Sequence, residues 1–335
     1  MKHFYFFIIL ILVFLSIFFT VNFSYAAKIE FTKEALKNAP EKKGINLKAV
    51  PSYEIISYKF DRKLVNKRAK KIFSQNPVTK SIWNKKFTRK ETGEEIIFSS
   101  NNIEFRVAKA TGAEALIDLN RYTISEKQQK ILEDKEIKEI ANKYLKDQFP
   151  DINLKEVKFM KIKKIINAIG RFDLKSKKSL EISSQIANYI VIYQRIINGI
   201  PVIGPGGKIR IYLSSNGEPI GHSKIWRPLG KPILVKPVLP TNKILRIFIK
   251  RHSKDRVESI KVVRLYFGYF AKGRYTKQKN LRPFYIIGYV YGPNSKLVLE
   301  RYDAYTGKFI EPPKEKSGTL KIYKMKYTLP QVLSR

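Results

Sequence analysis

NGIPVIGPGGKIRIYL, residues 198–213, decides between two folds. Its glycines and Lys208 suggest a phosphate cradle, whereas its flanks suggest a β-hairpin. A phosphate-binding loop needs G-x-x-x-x-G-K-[ST] between a strand and a helix, so that backbone amides surround the phosphates and a hydroxyl meets magnesium. Counting back five from Gly207 reaches Val202, and Ile209 stands where the hydroxyl should be. Ile209, Ile211 and Leu213 alternate with Lys208, Arg210 and Tyr212, the period-two pattern of a half-buried strand. The stretch therefore reads as a turn between two core strands. Gly199 supplies backbone freedom, Pro201 presets its own φ, and Lys208 points outward.

Working outward, the chain repeats one arrangement, a helix followed by strands. In residues 58–122, Asp61 is a candidate N-cap. Leu64, Val65, Ala69, Ile72 and Phe73 share a helical face that ends before Pro77, and strand-like runs follow around 83–88, 95–98, 103–108 and 115–119. In residues 123–228, Ser125 and Gln128 form a capping box. Ile137, Ile140, Ala141, Tyr144, Leu145 and Phe149 mark an amphipathic helix stopped by Pro150, with strands at 157–162, 187–196 and 208–213. In residues 229–312, the proline-punctuated RPLGKPILVKPVLP (227–240) reads as a linker before a helix capped by Thr241. Strands follow at 260–270, 284–291 and 296–302. Residues 28–57 show no sustained pattern and read as a lead-in, and 313–335 as a tail. Helix followed by antiparallel sheet is an α+β pattern, with each helix packed on a sheet face.

Residues 1–26 combine Lys2 and His3, an apolar run from Phe4 to Phe19, and Ser24-Tyr25-Ala26 ahead of Ala27. That is the layout of a secretory signal peptide, with an uncleaved membrane anchor as the alternative. The expected location is outside the cytoplasm, secreted or in the cell envelope. Cysteine is absent, which excludes disulfides and thiol chemistry. The net charge is +38, from 66 Lys+Arg against 28 Asp+Glu. Such a field attracts anionic wall polymer, lipid or nucleic acid, the last being the least expected partner of an exported chain. The charge is spread along the whole sequence, as a lysine-favouring coding bias would also spread it.

Tyr193-Gln194-Arg195, Asn198-Gly199-Ile200-Pro201-Val202, the strand Lys208–Leu213 and the Asn216-Gly217 turn succeed one another in a familiar order. The run 191–222 resembles the PepSY/FTP domain, the small α+β module in propeptides of thermolysin-like metalloproteases. LRPFYIIGYVYG (281–292) and YDAYTGKFI (302–310), with Asp303, Thr306 and Gly307, resemble a second, plainer copy. The resemblance covers about 123–312 and implies tandem PepSY-like modules. It also implies a non-enzymatic role: holding or inhibiting a protease or another envelope enzyme. The alternative is a basic envelope protein that adheres to anionic wall polymer or lipid.

The protease that follows such propeptides carries H-E-x-x-H, and His3, His222 and His252 do not have that spacing. His222 reads as a strand-end residue and His252, in KRHSKDR, as a solvated helix end. Neither S-x-x-K nor G-x-S-x-G occurs. Asp303 reads as a turn residue whose carboxylate accepts backbone amides rather than as a catalytic acid. No catalytic residue, metal ligand or cofactor is expected. The tyrosines between basic residues in RLYFGYFAKGRYTKQK read as sheet core rather than as a stacking surface.

Overall fold

The computed structural model describes residues 27–79, 87–119, 131–173, 178–255, 257, 259–292 and 295–311. The expected signal peptide, the tail, the Ser125–Gln128 capping box and most of the strand expected at 83–88 lie outside the described residues. Among the described residues, no helix is long and apolar enough to cross a membrane.

The described chain begins with β1 (Lys28–Phe31), the short helix α1 (Lys33–Lys37) and β2 (Val50–Ile55). Helix α2 (Arg62–Gln75) starts at Asp61, whose carboxylate accepts the Lys63 and Leu64 amides at 2.7 and 3.1 Å, as an N-cap does. Val65, Ala69, Ile72 and Phe73 form its buried face; Leu64 falls outside that stripe and is exposed. An antiparallel meander follows: β3 (Thr88–Glu91), β4 (Glu95–Ser100), β5 (Ile103–Ala108) and β6 (Glu114–Asp118).

Helix α3 (Asp134–Gln148) buries Ile137, Ala141, Tyr144 and Leu145, and Pro150 cannot continue it. Behind it come β7 (Val157–Asp173), β8 (Lys178–Ile197), β9 (Ile200–Ile203), β10 (Lys208–Ser214) and β11 (Pro219–Ile225). The last part comprises β12 (Leu229–Lys236), α4 (Thr241–His252), β13 (Ser259–Phe270), β14 (Asn280–Leu281), β15 (Pro283–Val290), β16 (Val298–Asp303) and β17 (Phe309–Ile310). The fold is α+β, mostly sheet with few helices.

Eight strands pair antiparallel in the order β7-β8-β10-β11-β6-β5-β4-β3. One face of this sheet carries Phe98, Phe105, Leu116, Val191 and Ile211 and receives both α2 and α3 in a single core. A second core joins Ala35 of α1 and Ile244 and Phe248 of α4 to Ile260, Leu265, Tyr285 and Ile287 of β13 and β15. Strand β9 links the two. It pairs antiparallel with the end of β8, at Ile197↔Ile200, and parallel with β13, at Tyr269↔Val202 and Phe270↔Ile203. Gly268 makes that approach feasible, because a Cβ there would lie 2.3 Å from the Pro201 carbonyl oxygen.

Two segments without an expected element are folded. In the stretch read as a lead-in, β1 pairs parallel with β13 and β2 pairs antiparallel with β12 and β14. The stretch read as a linker supplies β12. Prolines 51 and 232 hide both strands from a pattern search, and their partners are distant in sequence. The long strands β7 and β8 also outrun the expected 157–162 and 187–196. Among the described residues their far ends pair only with each other, from Ile166↔Ile186 to Asp173↔Lys178, while β10 reaches β8 over Asn188–Gln194.

Candidate functional site

The glycine-rich stretch is built for close backbone packing. Asn198 (φ 49°) and Gly199 (φ 77°) form the two-residue turn between β8 and β9, both in the left-handed region that such hairpins require. Ile200 and Val202 are buried, Pro201 is half-buried, and the Asn198 side chain donates to the Tyr53 hydroxyl at 3.1 Å. Gly206 donates its amide to the Ala271 carbonyl at 3.1 Å, and a Cβ there would stand 2.5 Å from the Lys272 carbonyl oxygen. The loop therefore packs its backbone directly against 271–272. Lys208 does not extend freely outward: its ammonium donates to the Gly204 carbonyl. Burial first, and then Arg210, brings its pKa down to about 8.

Asn216 and Gly217 (φ 83°) turn the chain between β10 and β11, where the Gly217 amide donates to Ser214 O at 3.0 Å. Asp303 ends β16, and its Oδ1 accepts the Tyr305 amide, the Thr306 amide and the Thr306 hydroxyl at 3.1, 3.0 and 3.1 Å. Its Oδ2 meets Arg282 Nη2 at 3.0 Å, and Gly307 (φ 71°) returns its amide to Asp303 O. These four contacts fix the carboxylate in the turn, as a structural aspartate is fixed. These three turns sit on different elements and hold backbone, each at its own place.

His222 is a different case from the strand-end residue expected. It sits inside β11, fully buried, between Tyr144 of α3 and Glu114 of β6. Asn76 Nδ2 donates to the Tyr144 hydroxyl at 3.0 Å, and Tyr144 lies 2.9 Å from His222 Nδ1. With the hydroxyl proton given to Nδ1, the ring proton sits on Nε2, which has no hydrogen-bond partner among the described residues and lies 3.9 Å from Glu114 Oε1. Arg68 of α2 grips Glu114 with Nε and Nη2 at 3.2 and 3.0 Å, and Lys224 adds a contact of 2.9 Å. Burial alone would raise the Glu114 pKa, but Lys224, Arg68 and His222 together hold it well below the usual carboxylate range. Burial depresses the His222 pKa to about 3, against the pull of Glu114.

His252 likewise departs from the expected solvated helix end. It is buried in the last turn of α4, with Nδ1 2.6 Å from Asp255 Oδ2 and Nε2 3.1 Å from Glu300 Oε2. Tyr302 and Tyr289 donate to Glu300 at 2.5 and 3.4 Å, and the rings of Phe248 and Tyr289 pack on the imidazole. The arrangement ties α4 to β15 and β16. Among the described residues, no group of three or more His, Asp or Glu side chains could hold a metal ion.

Sequence reasoning did not find the contacts between the cores. Arg227 donates to the carbonyls of Lys272, Gly273 and Thr276 at 2.8, 2.7 and 3.0 Å, and Arg195 joins Glu156 at 2.6 Å and the Arg227 carbonyl at 2.6 Å. Tyr275 donates to Glu95 at 2.9 Å. These arginines look like any others in so basic a chain. The tyrosines of 265–275 divide: Tyr269 is fully buried, while Tyr266 and Tyr275 are exposed.

The open surface offers two features. The sheet face opposite α2 and α3 sets Arg210 and Lys161 on either side of the buried Ile192, with Tyr212, Ile190 and Lys163 in the next row. Among the described residues, strand β12 pairs with β2 alone, and every residue from Lys231 to Lys236 is exposed.

No protein-family model matches the chain, and no curated protein matches it. Among solved structures, an uncharacterized protein from Eubacterium rectale is similar at 12% identity and a TM-score of 0.49, over 79% of this chain and 86% of that one. The Bacillus megaterium YpeB C-terminal domain is similar at 11% identity and a TM-score of 0.35, over 76% of this chain and 96% of that one. Both scores fall below 0.5, and neither likeness carries a conclusion about this chain.

Proposed function

We propose that this chain is an exported binding protein, with no catalytic step of its own, that holds or inhibits a protease or another enzyme of the cell envelope. The observation that carries this reading is the state of the groups with catalytic potential. His222, His252 and Asp303 are each buried and held by side chains or backbone of their own fold. A general acid or base must come within hydrogen-bond reach of a substrate, and a fully buried imidazole under two helices does not. The finer architecture belongs to the same proposal: α3 with β7, β8, β10 and β11, and α4 with β13, β15 and β16, are successive PepSY-like modules.

Pull-down from native envelope at about 0.1 M and about 1 M salt tests the reading, because screening weakens polyanion contacts steeply and apolar contacts little. An enzyme partner that stays bound at the higher salt supports it. Hydrolysis of casein, gelatin or peptidoglycan at constant specific activity through purification, lost on changing one carboxylate, would overturn it. Export is tested separately: the mature amino terminus should be Ala27, and Met1 on envelope-bound protein would indicate an anchor.

The basic sheet face favours a second reading, adhesion to anionic wall polymer or lipid. Lys161, Lys163 and Arg210 lie on one face with isoleucines between them. Retention on the envelope that is lost at the higher salt, with no protein partner, would select it.

A further inference from the structure

Strand β12 breaks the usual rule for strands. A strand on a core hides every second residue, but from Lys231 to Lys236 both faces of β12 are in solvent. Three consecutive apolar residues stand in that run: Ile233 is 51% exposed, Leu234 39% and Val235 57%. One edge pairs with β2, through Leu234↔Ser52, Val235↔Pro51 and Lys236↔Val50, and among the described residues β12 is the terminal strand of its sheet. Unpaired strand edges template further strands, and an apolar one does so most readily. Pro232 lacks an N–H and limits the free run to a few residues.

We propose that β12 is the docking strand for an extended apolar segment of a partner protein, flanked by acidic residues, which adds to its free edge as a further strand. The inference rests on the reading of the chain as a binding protein and supplies the contact that reading needs. Charge complementarity selects the occupant. Lys231 and Lys236 bracket the apolar run, so acids at the ends of an incoming segment would meet them. A second copy of β12 fits less well. Antiparallel pairing centred between Ile233 and Leu234 sets Lys231 opposite Lys236, and the copies would each bring a charge of +38.

The test uses the full chain and a labelled peptide probe with alternating valine and tyrosine between two glutamates at each end, read by fluorescence anisotropy. Control peptides carry lysines for the glutamates, or N-methyl groups that abolish one backbone edge. The expected result is saturable binding of the acidic peptide that weakens as salt rises without being abolished, because the lysine contacts are screened and the backbone and apolar contacts are not. Binding should fall at least tenfold for both controls and for the double variant Ile233→Asp, Val235→Asp, whose circular dichroism and melting temperature match the parent. Absence of binding, equal binding of the N-methylated peptide, or an indifferent double variant would each overturn the proposal. So would a dimer, seen by sedimentation, that the same double variant dissociates. If the envelope partner remains bound to the double variant, docking at β12 fails while the binding-protein reading stands.

Discussion

At the scale of single residues, two glycines in one stretch differ in what they protect. Around Gly199 a Cβ would meet nothing within 4 Å, so Gly199→Val costs only the strain of a left-handed backbone, roughly 1–2 kcal/mol. At Gly206 a Cβ would press on the Lys272 carbonyl, and Gly206→Ala is expected to destabilise more than Gly199→Val in urea titrations. His222 gives a pH signature. Its folded pKa is about 3 against an ordinary 6.5, so between these values the unfolded chain holds a proton that the folded chain lacks. Stability is therefore complete above about pH 6.5 and falls as pH drops, by up to about 1.4 kcal/mol per unit well below 6.5. Melting curves between pH 7 and pH 5, above the ordinary Glu114 range, should show that slope. His222→Gln should flatten it, and an unchanged slope in the variant would place its source elsewhere.

At the scale of elements, Arg227 carries the main polar load between the cores. Arg227→Met would leave the carbonyls of Lys272, Gly273 and Thr276 without their donor, a cost of about 3 kcal/mol at about 1 kcal/mol each. Limited trypsin digestion should then cut at Arg274 faster than in the parent, where Arg227 anchors the same loop. The elements themselves divide by how the sequence announces them. Helices α2 and α3 and strand β10 follow from periods of 3.6 and 2, because each buries one face on its own side of a core. Strands β2, β9 and β12 do not. The partners of β2 and β12 lie far off in sequence, prolines interrupt all three, and β9 is too short to show a period. The buried polar clusters escaped for a related reason. His222 and His252 gain their meaning from Glu114 and Glu300, and nothing local marks those pairs. The Asp303 turn was readable, since an aspartate two and three residues before its amide donors is a local motif.

At the scale of the whole molecule, a net charge of +38 opposes compaction. Raising salt from about 10 mM to about 0.3 M shortens the screening length several-fold and should raise the melting temperature; a fall would indicate that ion pairs outweigh self-repulsion. The parallel pairing of β1 with β13 has a consequence in time. Lys28 finds its place beside Ser259 and Phe31 beside Val262, so the first described strand leaves the ribosome long before its partner. At about 5–20 residues per second, roughly 230 intervening residues take about 10–50 s to synthesise. Throughout that interval β1 has no neighbour to accept it, and the second core lacks its central strand. The first core lies wholly within residues made before β13 and can close in that time, whereas the second is completed only after most of the message has been read.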